Sequence, residues 1–193
     1  MAEKPSDRAG KRARLIELIK VRSFQEGPAF KLASGKTSPF YFNMKPTMLD
    51  SEGAYLIASL ILDEIEGVDA DLIGGLEMGA VPIASSVAAI AYTRGRKLPA
   101  FFVRKQAKEH GTRALVEGLA KTERMAGRKV IIVEDVTTTG GSALKAAEAL
   151  KAEGATVVRV ITIVDRLDGA MQIFSDAGFA FTPLLTLEDF RSK

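Results

Sequence analysis

The sequence predicts a doubly wound α/β domain, in which helices cover both faces of a central parallel sheet and a small hood sits over one edge. Two observations carry this reading. From Asp71 onward short apolar runs alternate regularly with segments of helical period, and the runs are continuous instead of alternately polar, as in strands buried on both faces. The rest of the chain lacks that rhythm. About residues 1–50 and 165–193 are therefore assigned to the hood and about 51–164 to the core of one 193-residue domain.

Taken in order, Asp7 to Lys20 places Ala13, Leu15, Ile16, Leu18 and Ile19 among basic residues at helical spacing, giving an amphipathic first helix whose basic side reads as a solvated face. Phe30 to Asn43 reads as extended segments broken at Ser34-Gly35 and Ser38-Pro39. Ser51 opens a second helix, with Ala54, Ile57, Ala58, Ile61, Leu62 and Ile65 on one face, and Gly67 stops it. A strand over Asp71–Gly75, a helix over Gly79–Arg94 and a strand over Leu98–Val103 follow. A polar stretch from Arg104 to Arg113 leads to a strand at Lys129–Val133, a helix at Ser142–Glu153 and a strand at Thr156–Val164. The tail from Asp165 to Lys193 is expected to pack with the N-terminal region as the cap.

Composition narrows the chemistry by exclusion. The chain has no cysteine, which removes disulfides, thiolate metal sites and cysteine nucleophiles, and suits a reducing cytoplasm. Its first twenty residues are charged throughout, so no export signal is expected, and its longest apolar stretches are too short to cross a bilayer. A net charge of +3 suits a small anionic substrate and is weaker than the dense basic face of a nucleic-acid binder, and charge alone does not decide between them.

In a sheet of this class, ligands bind beyond the carboxyl ends of the strands. The most informative stretch there is Lys129 to Ser142, where four apolar residues deliver Glu134 and Asp135, then Val136, Thr137, Thr138, Thr139, Gly140, Gly141 and Ser142, into a helix start. Glycines let backbone N–H groups converge, hydroxyls add donors, and the helix N-terminus supplies orphan donors and a positive dipole end. That is a phosphate cradle. Two acids just before it can take the vicinal hydroxyls of a ribose, whereas a helix cap alone needs one hydroxyl and no acids. Neither a Walker loop nor a dinucleotide fingerprint is present.

This stretch resembles the signature of the type I phosphoribosyltransferases for 5-phosphoribosyl 1-pyrophosphate (PRPP). The resemblance implies that family's fold, with the 5-phosphate on Thr137–Ser142, Glu134 and Asp135 at the ribose, and magnesium carried in by PRPP with no direct protein ligand. Glu77 and Met78, in Leu76-Glu77-Met78-Gly79, would hold pyrophosphate through backbone N–H groups.

Three further segments resemble the orotate branch of the family. Arg104-Lys105-Gln106-Ala107-Lys108-Glu109-His110-Gly111 places cations where a departing pyrophosphate could be neutralised. Its spacing is similar to that of a mobile loop which closes over the neighbouring subunit's site, implying a homodimer in which residues 104–113 complete the partner's site. Arg104, Lys105, Lys108 and His110 are thereby assigned to PRPP, and Lys108, His110 and Asp135 to catalysis. Phe30 to Asn43 resembles the base-recognition segment, placing Tyr41 and Phe42 beside a flat pyrimidine, and Arg166 corresponds to the arginine that meets the orotate carboxylate, with Thr138 also facing the base. Two family lysines are replaced here by Ala33 and Met78, so their roles do not carry over; Lys36 is a nearby alternative charge.

The resemblance spans about Phe30 to Arg166 and implies an enzyme joining orotate to the ribose 5-phosphate of PRPP. Its products would be orotidine 5′-monophosphate, on the route to UMP, and pyrophosphate. The rival reading is a PRPP sensor that binds RNA or DNA through the basic first helix, against which Lys105, Lys108 and His110 argue; a transferase for another base is disfavoured by Arg166 and Ser38-Pro39.

Overall fold

A computed structural model describes residues 7–31, 37–106 and 115–191. Helix α1 (Arg8–Arg22) starts at Asp7, whose carboxylate accepts from the Gly10 N–H at 2.6 Å, and buries Leu15 and Ile19. Its basic side is not simply solvated. Lys11 pairs with Asp63, Arg12 with Asp189, Arg14 with Glu52, Arg22 with Asp50 and Arg8 with Glu64, so the charges fasten the helix to the body.

Strands β1 (Phe24–Lys31) and β2 (Thr37–Phe42) form an antiparallel hairpin whose register is irregular between Glu26 and Phe30, around Gly27-Pro28. Ser38-Pro39 lies inside β2 and does not interrupt it. One turn of helix, α2 (Lys45–Met48), then leads to α3 (Ser51–Glu64), capped by Asp50, which accepts from the Glu52 and Gly53 N–H groups at 3.0 Å.

The core follows as β3 (Leu72–Gly74), α4 (Ala80–Thr93), β4 (Phe102–Val103), β5 (Val116–Glu117), β6 (Lys129–Thr137), α5 (Gly141–Ala152) and β7 (Thr156–Asp165). After it come α6 (Ala170–Asp176), β8 (Phe181–Thr186) and a 3-10 turn at Leu187–Asp189. The central sheet runs β3-β6-β7-β8, all parallel, and single parallel bridges at Ile73–Ala100 and Leu76–Val103 lay the β4 segment beside β3. Alternate residues of β6 go to opposite faces: Ile131 and Val133 pack with α1, α3 and α4, while Val130 and Ile132 pack with α5 and Phe174 of α6. Burial on both faces is why these strands read as unbroken apolar runs.

Two differences from the expected layout matter. The tail is not only a cap, because β8 pairs with β7 from Val160–Phe181 to Asp165–Thr186 and so extends the sheet. Only its end returns to the hairpin, where the Phe190 ring meets Phe24 and Phe42 at 5.5 and 5.1 Å. In addition, β6 continues four residues past Val133 to Thr137, because Glu134, Val136 and Thr137 still pair with β7. The two acids are therefore carried on a strand, not on a loop.

At the end of β3, a Cβ at Gly74 would lie 2.2 Å from the Phe101 carbonyl oxygen and one at Gly75 would lie 2.4 Å from that of Val133. Only glycine permits the strands to converge here. Among the described residues no helix is long and apolar enough to cross a membrane.

Candidate active site

The carboxyl ends of β3 and β6, the start of α5, α2 and the segment after β4 line a cavity of 660 Å³, and Arg166 at the end of β7 is not part of that lining. Its charged lining is Lys45, Glu77, Lys105, Glu134 and Asp135, with Met78 and Gly79 on one wall and Ser142 at the start of α5. The loop after β3 is tied to the neighbouring segment: the Glu77 N–H donates to the Val103 carbonyl at 2.8 Å, and the Glu77 carboxylate accepts from the Lys105 N–H at 3.0 Å. The expected donation by the Glu77 backbone to a ligand is thus already spent. Met78 is exposed on the cavity wall, after a cis Glu77–Met78 peptide bond.

Asp135 crosses to this loop, where a Cβ at Gly79 would stand 2.7 Å from its Oδ1. The same oxygen accepts from the Val136 N–H at 2.9 Å. Glu134 accepts from the Thr137 hydroxyl at 2.8 Å. Burial pushes the Glu134 carboxyl up to about 7; the neighbouring Asp135 charge adds to the rise, and the hydroxyls of Thr137 and Ser142 oppose it.

The cradle is sharper than its sequence suggested. Thr137 is buried and its hydroxyl is engaged by Glu134, so it orients the acid instead of offering a free donor, and the Val136 side chain packs on the core. Thr138 and Thr139 are half-buried, while Gly141 and Ser142 are exposed at the start of α5. Gly140 precedes the helix at φ 80°, a left-handed conformation that favours glycine.

One strand over, the Arg166 N–H donates to the Thr137 carbonyl at 2.9 Å, directly after the Thr137–Asp165 pair of the sheet. The Arg166 side chain is buried, its Nη2 donates to the Ser38 hydroxyl at 2.8 Å, and its Nε has no hydrogen-bond partner although Asp168 lies 3.6 Å away. The structure therefore joins two motifs 128 residues apart, Ser38-Pro39 and Arg166. Asp165, also buried, has its carboxyl pushed up by that burial.

The Phe42 ring is 7% exposed and packed between Phe24 and Phe190, so it offers no open face for stacking. Tyr41 is 37% exposed and stacks on Phe30. Strand alternation separates the two rings, a consequence hidden while this segment reads as a broken loop. Arg104 donates to the Gln106 carbonyl at 3.2 Å and lies 3.8 Å from Glu117, and with Lys105 and Lys145 it lines an adjoining recess of 490 Å³. Lys108 and His110, like Ala33 and Lys36, lie outside the described residues. Lys45 was not foreseen; a lone lysine after an aromatic strand carries no motif.

Among the described residues no three His, Cys, Asp or Glu side chains converge as a metal cluster. The cavity's acids are nonetheless hard oxygen donors of the sort that meets magnesium alongside substrate phosphates.

A parallel sheet that delivers an acid pair and a glycine turn to one helix start defines a class of sugar-phosphate transferases, and residues 49–184 match the model of the phosphoribosyl transferase domain. The chain belongs to that family. It is 52% identical over 183 residues to the orotate phosphoribosyltransferase of Rhodopseudomonas palustris (strain TIE-1), covering 95% of this chain and 97% of that protein. It is 42% identical to the orotate phosphoribosyltransferase of Sorangium cellulosum, covering 94% of each. Among solved structures, it resembles the Mycobacterium tuberculosis H37Rv orotate phosphoribosyltransferase in complex with PRPP, with a TM-score of 0.74 and 31% identity over 94% of this chain and 92% of that one.

Proposed function

We propose that this protein is an orotate phosphoribosyltransferase, transferring the ribose 5-phosphate of PRPP to orotate. The observation that carries the reading is the adjacency of two recognition elements: the acid pair and α5 start on β6, and Arg166 at the end of β7, joined through the Arg166 N–H and the Thr137 carbonyl. One reads ribose phosphate. The other offers a guanidinium fork suited to a carboxylate, the group that separates orotate from uracil.

In the reaction, the bond from ribose C1 to the pyrophosphate oxygen breaks, its electron pair leaves with pyrophosphate, and the orotate ring nitrogen, giving up its N–H proton to water, forms the new bond from the opposite face. No covalent nucleophile is required. The N-terminal donors of α5 hold the 5-phosphate, Glu134 and Asp135 orient the ribose hydroxyls, and Lys105 meets charge developing on the leaving group. Lys108 and His110 are proposed to join it when their loop closes and keeps water from the reacting carbon. Glu77 and Asp135 are the acids placed to meet the water shell of a magnesium ion that arrives with PRPP, and the ion would add positive charge at the pyrophosphate. The proposed working unit is a homodimer in the cytoplasm, with residues 104–113 of each subunit serving the other's site.

Incubation with PRPP, magnesium and orotate, uracil or adenine in turn tests the assignment. Orotate should be consumed with release of pyrophosphate, and the other bases should be left; turnover of uracil or adenine in preference to orotate would overturn it.

A further inference from the structure

The proposed site gives the pyrophosphate a single described cation, Lys105, against three acids in the same lining. With the 5-phosphate at α5 and the ribose at Glu134 and Asp135, the pyrophosphate must occupy the rest of the cavity, against Glu77, Met78 and Gly79. That wall contributes an acid, an apolar side chain and no side chain at all. It offers no cation.

The opposite lining does. Lys45 opens α2 and borders the same cavity as Met78 and Asp135. Its place is fixed from both sides, because Met44, Thr47 and Met48 are buried and the Thr47 hydroxyl lies 2.6 Å from that of buried Ser23. The cations paired at the start of α3 are committed elsewhere, Arg22 to Asp50 and Arg14 to Glu52. Lys45 has no ion pair among the described residues. A solvated lysine of this sort is usually inert, but here it stands on a firm turn at the edge of a cavity whose other described charges are three acids and Lys105.

We propose that Lys45 contacts the pyrophosphate group of PRPP, supplying from α2 the charge that Met78 cannot supply from the facing loop. This rests on the phosphoribosyl-transfer reading of the cavity. A flexible stem lets the ammonium follow the group as it departs, so the residue serves PRPP binding and pyrophosphate product binding alike, and has no part in holding orotate.

Calorimetric titration with magnesium and inorganic pyrophosphate, and separately with ribose 5-phosphate, tests this in Lys45→Met, which keeps the apolar stem, and in Lys45→Arg. Lys45→Met should weaken pyrophosphate by about tenfold or more and raise the KM for PRPP similarly, leaving ribose 5-phosphate affinity and the orotate KM unchanged. Lys45→Arg should bind pyrophosphate nearly as the wild type does. Adding Met78→Lys to Lys45→Met should restore much of the loss, since that side chain enters the same space. Unchanged pyrophosphate affinity in Lys45→Met, or an equal loss for ribose 5-phosphate, would overturn the inference. Wild-type turnover of orotate tests the underlying reading separately.

Discussion

Glu134 is half-buried beside a second carboxylate, and its pKa of about 7 lies above the 4.5 of a free glutamate. The folded state thus holds the proton more tightly than the unfolded chain. The resulting stabilisation is full below about 4.5 and is lost as pH rises through about 7. Glu134→Gln, which keeps an acceptor for Thr137 but cannot ionise, should be more stable than the wild type at pH 8 by roughly 1–3 kcal/mol and nearly equal to it at pH 5. Equal differences in melting temperature at the two pH values would contradict the ionisation account. Arg166 poses a different question, since it is buried with Nε unsatisfied. Arg166→Ala should raise the orotate KM by about 2–3 kcal/mol equivalent and the PRPP KM far less; parallel rises would make it a structural residue. Both residues were legible because each comes at the end of an apolar run, Val130–Val133 for Glu134 and the β7 run for Arg166. The Ser38 contact was not, because nothing in the chain's order reveals which loop closes over Arg166.

At the scale of elements, the turn into α5 separates folding from binding within two adjacent glycines. Gly140 needs its left-handed φ, and a Cβ there would lie 2.6 Å from the ring of Phe174, which is fully buried and cannot yield. Gly140→Ala should therefore cost roughly 2–4 kcal/mol of stability. Gly141 has nothing within 4 Å and an ordinary φ, so Gly141→Ala should melt like the wild type yet bind PRPP more weakly if, as proposed, the 5-phosphate sits on this helix start. Melting curves beside PRPP titrations separate the two, and a Gly141 variant that loses both properties would count against the cradle. Helix α1 was readable since a buried face imposes its period, as Lys11, Leu15 and Ile19 show; α3 is buried at every position from Leu56 to Leu62, so its period did not reveal that it is covered on all sides. The strand β8 was not: Phe181-Thr182-Pro183 mixes polar and proline residues, which an edge strand tolerates and a central one does not.

For the molecule as a whole, the open issue is whether one chain completes its own site. The loop carrying Lys108 is proposed to act across a subunit boundary, so subunits with Lys108→Ala and subunits with Asp135→Asn should each be poorly active alone. Mixed under exchange, they should regain activity in those sites that combine an intact acid with an intact neighbouring loop. If differently tagged subunits co-purify while activity stays at the parental level, the loop serves its own chain. The layered core was visible in the sequence, but the union of chain ends was not. Ion pairs such as Arg12 with Asp189 and the meeting of Phe24 with Phe190 join residues more than 160 positions apart, and no local pattern encodes such partners.

Gly74 and Gly75, each within 2.4 Å of a neighbouring carbonyl once a Cβ is added, have a consequence for how the gene can vary. Every amino-acid replacement at these codons introduces that carbon, so no conservative substitution exists, and even alanine must prise a strand from its neighbour. In a saturation library scored by soluble yield, these two codons should be blank for all nineteen replacements. The Gly141 codon, under no such steric veto, should fill in freely under the same selection and empty only when the library is scored by turnover.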